Sequence, residues 1–245
     1  MIDLVINWIK SHSPSGVLCW EGGDVYPEVT GYLIPTLLKY DEYDLARQYA
    51  DYLLSIQNKD GSFNGMDGKP KHFDTAAIYE GLTAIGDTAA AEKAKKYLEA
   101  NISMLTDNAK GFYLARACGL IGSQYGKGYW TPSGEWDNRW GNPQRLHYIA
   151  YGLEGLYLLG VDISEQLQAS VKLINMGLMP YFVSTGWVDA GGMDISATCQ
   201  MAILYKVYGL EYRSMIEAVE KYIEQKQGPV LSWAGKFYLD IKHET

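Results

Sequence analysis

The fold is decided by a stretch that reads Gln57-Asn58-Lys59-Asp60-Gly61-Ser62-Phe63 and, after a loop of Gly, Pro and Lys, His72-Phe73-Asp74-Thr75-Ala76-Ala77-Ile78-Tyr79. Asp60-Gly61 is a strong turn signal, because glycine adopts positive φ without strain and aspartate bonds to its own nearby backbone. Asp74 and Thr75 are predicted to cap a new helix whose apolar positions follow at helical spacing. The stretch therefore predicts the end of one helix and the start of the next.

Altered copies of this helix pair recur along the chain. In each copy a nearly all-apolar helix, predicted to be inner, is followed by an amphipathic helix, predicted to be outer. Marks near the inner starts are 46, 37, 36, 47 and 38 residues apart, which is repeat spacing. The marks are Glu28, Asp74, Gly111, His147, Asp194 and Ser232.

The periodicity predicts eleven helices and an all-α protein. The predicted helices are Ile2–Ile9, Glu28–Tyr40, Asp41–Gln57, Phe73–Ile85, Thr88–Asn101, Gly111–Ile121, Leu146–Leu159, Ser164–Leu178, Ile195–Tyr208, Ser214–Gln225 and Trp233–Ile241. Six are inner and about five are outer, because the N-terminal helix is predicted to pack beside the last inner helix. The Gly/Trp-rich segment 122–145 replaces the remaining outer helix. This arrangement predicts a single closed ring over residues 1–245; an open helical solenoid is the alternative.

Composition favours one soluble domain with a substantial core. The chain has 245 residues, of which 47% are hydrophobic and 20% charged, and its net charge is −8. No Lys/Arg stripe recurs, so a nucleic-acid partner is not expected. Three separated cysteines, Cys19, Cys118 and Cys199, indicate neither a disulfide framework nor a thiolate metal site, and we expect buried free thiols. No metal and no cofactor are predicted.

The N-terminal segment carries an early acid within a helical pattern, which is not typical of a signal peptide. No stretch of the sequence approaches membrane-spanning length, so membrane insertion is not expected. We therefore expect a soluble cytoplasmic protein, although a mature secreted chain would look similar. The sequence leaves the oligomeric state open.

Two motifs resemble those of a known superfamily. Gln57-x-x-Asp60-Gly61-Ser62-Phe63 resembles the repeat of squalene–hopene cyclases and protein prenyltransferase β-subunits, with Phe63 in place of Trp, and Asp74-Thr75-Ala76 resembles the end of the Asp-rich cyclase motif. The resemblance implies the α/α-toroid fold of terpenoid cyclases. It does not carry over their chemistry, because Lys71-His72-Phe73 precedes Asp74 where clustered acids are needed, and no Asp-x-Cys pair supplies zinc ligands.

A second resemblance points to carbohydrate. Three segments, Tyr26–Thr36, Leu146–Leu156 and Ser232–Asp240, resemble cyclase-repeat proteins associated with bacterial exopolysaccharide biosynthesis. This resemblance implies carbohydrate processing and assigns no catalytic residue. The same toroid also hosts glycoside hydrolases, polysaccharide lyases and uronyl epimerases.

Parallel inner helices would bring their N-termini to one mouth, where unpaired backbone donors attract anionic groups. The loops before these helices are rich in Trp, Tyr and acids, and flat aromatic faces with short polar side chains suit sugar rings. We expect an oligosaccharide or polysaccharide to bind there. The expected binding residues are Trp20, Glu21, Asp24, Tyr32, His72, Trp136, Arg139, Arg145, Trp187, Asp194 and Trp233.

Carboxylates at the same mouth indicate hydrolysis, in which one acid stays protonated while the other assists water or attacks carbon. Asp189 is the preferred acid because its Gly-rich surroundings do not explain it as a helix cap. Asp74 and Glu28 are further candidates, together with Asp194. Helix capping is the structural alternative for Asp74 and Asp194.

His147, Tyr151 and Glu154 lie on one face of an otherwise apolar predicted helix. If that face lines the cavity, His147 could serve as base and Tyr151 as proton donor, with Arg145 or Arg139 neutralising a uronate carboxylate. This set suits β-elimination or C5 epimerisation. A hydrogen-bonded core histidine is the structural alternative.

Arg116 is a rare charge on a predicted buried helix and is expected to have a structural partner, either Glu154 or Asp240.

These features together predict a carbohydrate-active protein, with a glycoside hydrolase as the leading hypothesis. A uronate lyase or C5-epimerase is the first alternative. The second is a non-catalytic glycan-binding or exopolysaccharide assembly protein, for which an aromatic mouth suffices. A polyprenyl or terpenoid cyclase is the least favoured.

Overall fold

The computed structural model describes residues 1–13, 25–101, 111–125, 144–184, 188–226 and 233–243. Eleven α-helices lie within these ranges. Helices α1–α11 are Ile2–Ser11, Pro27–Lys39, Tyr43–Ile56, His72–Ala84, Thr88–Asn101, Gly111–Ile121, Leu146–Leu158, Ser164–Ser170, Ile195–Val207, Arg213–Lys226 and Trp233–His243. Strands β1–β5 are Gln144–Arg145, Met179–Pro180, Phe182–Ser184, Val188–Asp189 and Met193–Asp194.

The helices group into two compact units. Unit 1 comprises residues 1–102 and 231–245, with α1–α5 and α11, and unit 2 comprises residues 103–230, with α6–α10 and all five strands. Each unit contains inner helices that are buried almost all round. The single-domain organisation expected from the sequence stays a prediction.

All eleven predicted helices are present, but one of them ends early. The outer helix predicted to reach Leu178 stops at Ser170, and a 3-10 turn follows at Val171–Leu173. Met176 and Gly177 then adopt positive φ in a tight turn. A Cβ on Gly177 would lie 2.5 Å from the carbonyl oxygen of Ser214, so only glycine lets this turn pack against α10.

The predicted cap of α4 is wrong in detail. The helix begins at His72 after Lys71, which places Asp74 in the first turn and not at the N-cap. Thr75 instead forms a latch: its Oγ1 donates to the carbonyl of Lys71 at 2.6 Å and accepts the N–H of Phe63 at 3.0 Å. The hydrogen bond to Thr75 therefore joins the Gln57–Phe63 stretch to the first turn of α4, and Phe63 is fully buried.

The same latch recurs in unit 2. Thr198 Oγ1 donates to the carbonyl of Asp194 at 2.6 Å and accepts the N–H of Met179 at 2.9 Å. A single side chain thus satisfies backbone groups on both sides of a helix start. The repeat seen in the sequence is accordingly a repeat of hydrogen bonding.

In unit 1 glycines allow inner helices α2 and α4 to touch backbone to backbone. A Cβ on Gly81 would lie 2.2 Å from the carbonyl oxygen of Gly31, and one on Gly31 would lie 2.7 Å from Ile78 Cα. Helix α11 contacts α2, where Thr36 donates to the buried carboxylate of Asp240 at 2.8 Å. Helix α1 contacts α11, as predicted.

In unit 2 the corresponding close pair is α6 and α7. A Cβ on Gly155 would lie 2.2 Å from the carbonyl of Ala115, and one on Gly119 would lie 2.7 Å from the carbonyl oxygen of Gly155. Cys118 on α6 and Cys199 on α9 are buried free thiols, as expected, whereas Cys19 lies outside the described residues.

Two small antiparallel sheets, which the sequence analysis did not predict, lie beside the starts of α7 and α9. Strands β1, β3 and β4 form one sheet, with Arg145 opposite Phe182. Strands β2 and β5 form the other, with Met179 opposite Asp194. Each sheet leads directly into an inner helix, because β1 precedes α7 and β5 precedes α9.

Among the residues that the structure describes, none of the helices combines the length and apolar character needed to cross a lipid bilayer.

The backbone contact at Gly155 predicts contrasting effects of two Gly→Ala changes on α7. Gly155→Ala is expected to lower the free energy of unfolding by about 1–3 kcal/mol, because the new Cβ meets the backbone of α6. Gly152→Ala is the matched control, since its Cβ would lie 2.7 Å from the ring of Phe112 and no closer than 3.5 Å to the backbone of another helix. Urea denaturation of both variants measures the difference. Equal destabilisation would contradict the proposed backbone constraint.

Candidate active site at the start of helix α7

The first sheet brings a tyrosine to the start of α7. The N–H of Leu146 donates to the carbonyl of Tyr181 at 3.0 Å, next to the β1–β3 pairing. Tyr181 in turn is held by its N–H bond to the carbonyl of Gly192, at 3.2 Å. These backbone bonds place Tyr181 beside Arg145, the last residue before the helix.

Arg145 lies between two tyrosine rings. Its guanidinium carbon is 5.0 Å from the ring centre of Tyr181 and 5.5 Å from that of Tyr148, and its Nη1 donates to the Tyr148 hydroxyl at 3.4 Å. Both distances suit cation–π attraction. We call these three side chains the arginine–tyrosine wall. All three are partly exposed, so the wall offers a cation and two flat aromatic faces to a ligand.

His147 lies in the first turn of α7 and is buried, with 5% of its surface exposed. Its Nδ1 lies 2.6 Å from Oε1 of Gln200 on α9, and its ring centre lies 4.7 Å from that of Tyr151. Burial holds the pKa of His147 below its ordinary value of 6.5, and the positive charges of Arg145 and Arg116 add to this lowering. The Asp194 carboxylate and the Gln200 hydrogen bond oppose it. The imidazole is therefore neutral at pH 7.

Tyr151 rests on a buried ion pair. Arg116 Nε donates to Glu154 Oε2 at 2.9 Å, which confirms the predicted partner, and the Arg116 guanidinium carbon is 5.3 Å from the Tyr151 ring centre. Arg116 is almost fully buried, whereas Glu154 is about a third exposed. Tyr113 completes the cluster, with ring centres 5.0 Å from Tyr148 and 5.6 Å from Tyr151.

The two candidate acids of unit 2, Asp189 and Asp194, have local structural roles. Asp194 caps α9, since its Oδ1 accepts the N–H of Ala197 at 3.1 Å, as the capping alternative predicted. Asp189 is exposed on β4, and its Oδ1 accepts the N–H of Gly191 at 2.7 Å in an Asx turn. A local turn thus accounts for Asp189, which the sequence did not explain.

The candidates in unit 1 are Glu28, Tyr32, His72 and Asp74. Glu28 and Asp74 occupy the first turns of α2 and α4. Tyr32 is buried, with its ring centre 6.2 Å from that of Phe237. His72 stacks on Tyr97 of the outer helix α5, at 5.4 Å. The structure therefore gives Tyr32 and His72 packing contacts within their own unit.

Several expected binding residues lie outside the described parts of the chain. They are Trp20, Glu21, Asp24, Trp136, Arg139 and Trp187. Trp233 is the first residue of α11.

Four side chains of the site were not among the expected catalytic or binding residues: Tyr113, Tyr148, Tyr181 and Gln200. Gln200 is a polar side chain within an apolar helix, and that signal was visible in the sequence. Tyr181 had no such signal, because the short strands that position it carry no periodicity. Tyr113 resembled the packing tyrosines of the other helices.

Among the described residues, no group of three or more His, Cys, Asp or Glu side chains could hold a metal ion. The absence of a metal cofactor stays a prediction.

Solved structures share this fold. A novel alpha-amylase from Clostridium perfringens is similar over 99% of this chain and 97% of its own, with 12% identity and a TM-score of 0.76. A type II terpene cyclase from Scytonema, in complex with its product merosterolic acid A, is similar over 95% of this chain and 80% of its own, with 14% identity and a TM-score of 0.64. A protein from Actinoplanes matches over 95% and 81%, with 14% identity and a TM-score of 0.62.

These similarities confirm the predicted α/α-toroid fold class. At 12–14% identity they establish the fold alone. No protein-family model and no curated protein matches the sequence.

The lowered pKa of His147 predicts a pH-dependent stability. Below pH 6.5 the unfolded chain binds a proton that the native site rejects, so the free energy of unfolding falls as the pH falls, by up to about 1.4 kcal/mol per pH unit from this group. Urea denaturation between about pH 7.5 and pH 5 measures the slope.

His147→Asn removes this contribution, whereas the control His12→Asn retains it. An identical slope in the His147 variant would contradict the assignment.

Proposed function

We propose that the protein is a carbohydrate-active enzyme that binds an oligosaccharide or polysaccharide containing uronate residues at the start of α7. The observation that carries the proposal is the juxtaposition of a neutral buried histidine and Tyr151 with the arginine–tyrosine wall. Tyrosine faces suit the C–H surfaces of sugar rings, and a guanidinium suits a sugar carboxylate. The fold is compatible with carbohydrate chemistry, since an alpha-amylase shares it.

The reaction that these side chains favour is removal of the proton from C5 of a uronate. Arg145 pairs with the carboxylate, which acidifies the neighbouring C–H, and His147 accepts the proton. In β-elimination the electron pair left on C5 forms a double bond to C4 as the C4–O bond breaks, and Tyr151 protonates the leaving oxygen. In epimerisation C5 is instead reprotonated from the opposite face. Neither route needs a redox partner.

Hydrolysis is the second candidate, favoured by the similarity to the alpha-amylase. It would use Asp189, whose second carboxylate oxygen is not engaged in the Asx turn, with another acid at the mouth. Within unit 2 the partner acid would be Asp194. A terpenoid-cyclase reaction is less supported, because Asp74 follows Lys71 and His72 and not the clustered acids that alkene protonation requires.

Single substitutions distinguish these reactions. His147→Asn keeps an amide nitrogen near Nδ1 and removes the base, and Tyr151→Phe keeps the ring and removes the proton donor. We expect each to lower kcat on uronate glycans by about 10²–10⁴-fold, which is the usual contribution of a general acid or base. Tyr205→Phe is the matched control. It removes a different buried hydroxyl of α9, which is hydrogen-bonded to Ser170 on α8.

The product identifies the chemistry. Ultraviolet absorbance of an unsaturated uronate reports elimination, and solvent deuterium at C5 without chain cleavage reports epimerisation. Hydrolysis would instead give new reducing ends without that absorbance. If this activity were lost in Asp189→Asn and retained in His147→Asn, the proposed reaction would be wrong and hydrolysis would be correct. Binding without turnover on acidic and neutral glycans alike would favour the non-catalytic glycan-binding protein.

A further inference from the structure

Gln200 hydrogen-bonds to the His147 ring and has a buried polar atom left over. Its Oε1 lies 2.6 Å from His147 Nδ1, and 5% of the residue is exposed. Its Nε2 is buried and has no hydrogen-bond partner among the described residues. The amide at this position therefore lowers the stability of the fold, since a buried donor without a hydrogen-bond partner is unfavourable.

The orientation of this amide determines which ring nitrogen carries the proton. An amide oxygen can only accept, so Oε1 beside Nδ1 requires a proton on Nδ1 and leaves the lone pair of the neutral ring on Nε2. The reversed amide would donate to Nδ1 and require the proton on Nε2. Either orientation leaves one end of the amide without a partner among the described residues, so that cost does not decide between them.

Proton uptake by the ring decides between the two orientations. A protonated imidazole carries N–H on both nitrogens, so only the oxygen of Gln200 remains a hydrogen-bond partner for Nδ1. The reversed amide would oppose N–H to N–H at 2.6 Å. Only the observed orientation therefore keeps a hydrogen bond between Gln200 and Nδ1 of His147 both before and after the ring accepts a proton.

We propose that Gln200 is a positioning residue that holds His147 in the Nδ1–H tautomer, so that Nε2 is the atom that accepts the proton. The preference for this amide orientation and its catalytic consequence both rest on the proposed function, in which the ring takes up a proton, whereas the tautomer can be measured without turnover. Asp194 and the Arg145 and Arg116 cations act on the charge of the ring, but Gln200 provides the directional bond that selects one nitrogen.

Nitrogen NMR of the full-length protein labelled with ¹⁵N-histidine tests the tautomer without any substrate. The chain has four histidines, and the resonances lost in His147→Asn identify this one. At a pH where the ring is neutral, we expect a pyrrole-type shift for Nδ1 and a pyridine-type shift for Nε2. A wild-type spectrum with the reverse assignment would overturn the proposal by itself.

Three variants separate positioning from packing. Gln200→Glu always presents an oxygen and should keep the Nδ1–H pattern, whereas Gln200→Met removes the acceptor and should lose it. Gln166→Met is the matched control, because Gln166 is another buried glutamine of unit 2, on α8, and its loss should leave the His147 pattern unchanged. An unchanged pattern in Gln200→Met would also overturn the proposal.

If the proposed reaction is correct, Gln200→Met should lower kcat with little change in KM, by about 10–100-fold, the loss found for groups that orient metal-ligating histidines. Gln200→Glu should restore most of it. Failure to find turnover in any variant would count against the proposed function and leave the tautomer result standing. A fall in kcat with an unaltered tautomer would contradict the role of Gln200.

Discussion

The backbone contact between α6 and α7 at Gly155 is the constraint on which the candidate site depends. Because no Cβ separates the helices there, Arg116 on α6 lies close enough to bond to Glu154 on α7. An unpaired buried charge costs about 3–5 kcal/mol, so this pairing fixes both helices in register. The Arg116 guanidinium then supports the ring of Tyr151, which packs against His147. The buried contacts between α6 and α7 thus hold the side chains of Tyr151 and His147 in place.

The start of α7 is secured differently from the starts of three other inner helices. Thr30, Thr75 and Thr198 occupy the same position in three inner helices, and each donates to the carbonyl four residues earlier. Helix α7 has Ile149 at that position and no hydroxyl to form the latch. The β1–β3 pairing secures its start instead and brings Tyr181 beside Arg145.

Sequence reasoning reached the fold because a repeated inner and outer helix leaves a strong periodic signal, and Gln57–Phe63 marks it unmistakably. It also named Glu154 as one of two possible partners of Arg116, since a buried cation needs a partner. It missed the strands, which have only two or three residues and are too short for periodicity, and the Asx turn that accounts for Asp189. The choice between hydrolysis and proton abstraction depends on tertiary neighbours such as Gln200 and Tyr181, which no local pattern brings together.

The central claim is that carbohydrate binds at the arginine–tyrosine wall in front of His147. A crystal structure with a short oligouronate bound tests it most directly. We expect a sugar carboxylate paired with the Arg145 guanidinium and a sugar ring packed on Tyr148 or Tyr181, with C5 of that sugar facing His147. A sugar bound only among residues 1–102, or a neutral glycan bound with no contact to Arg145, would contradict it.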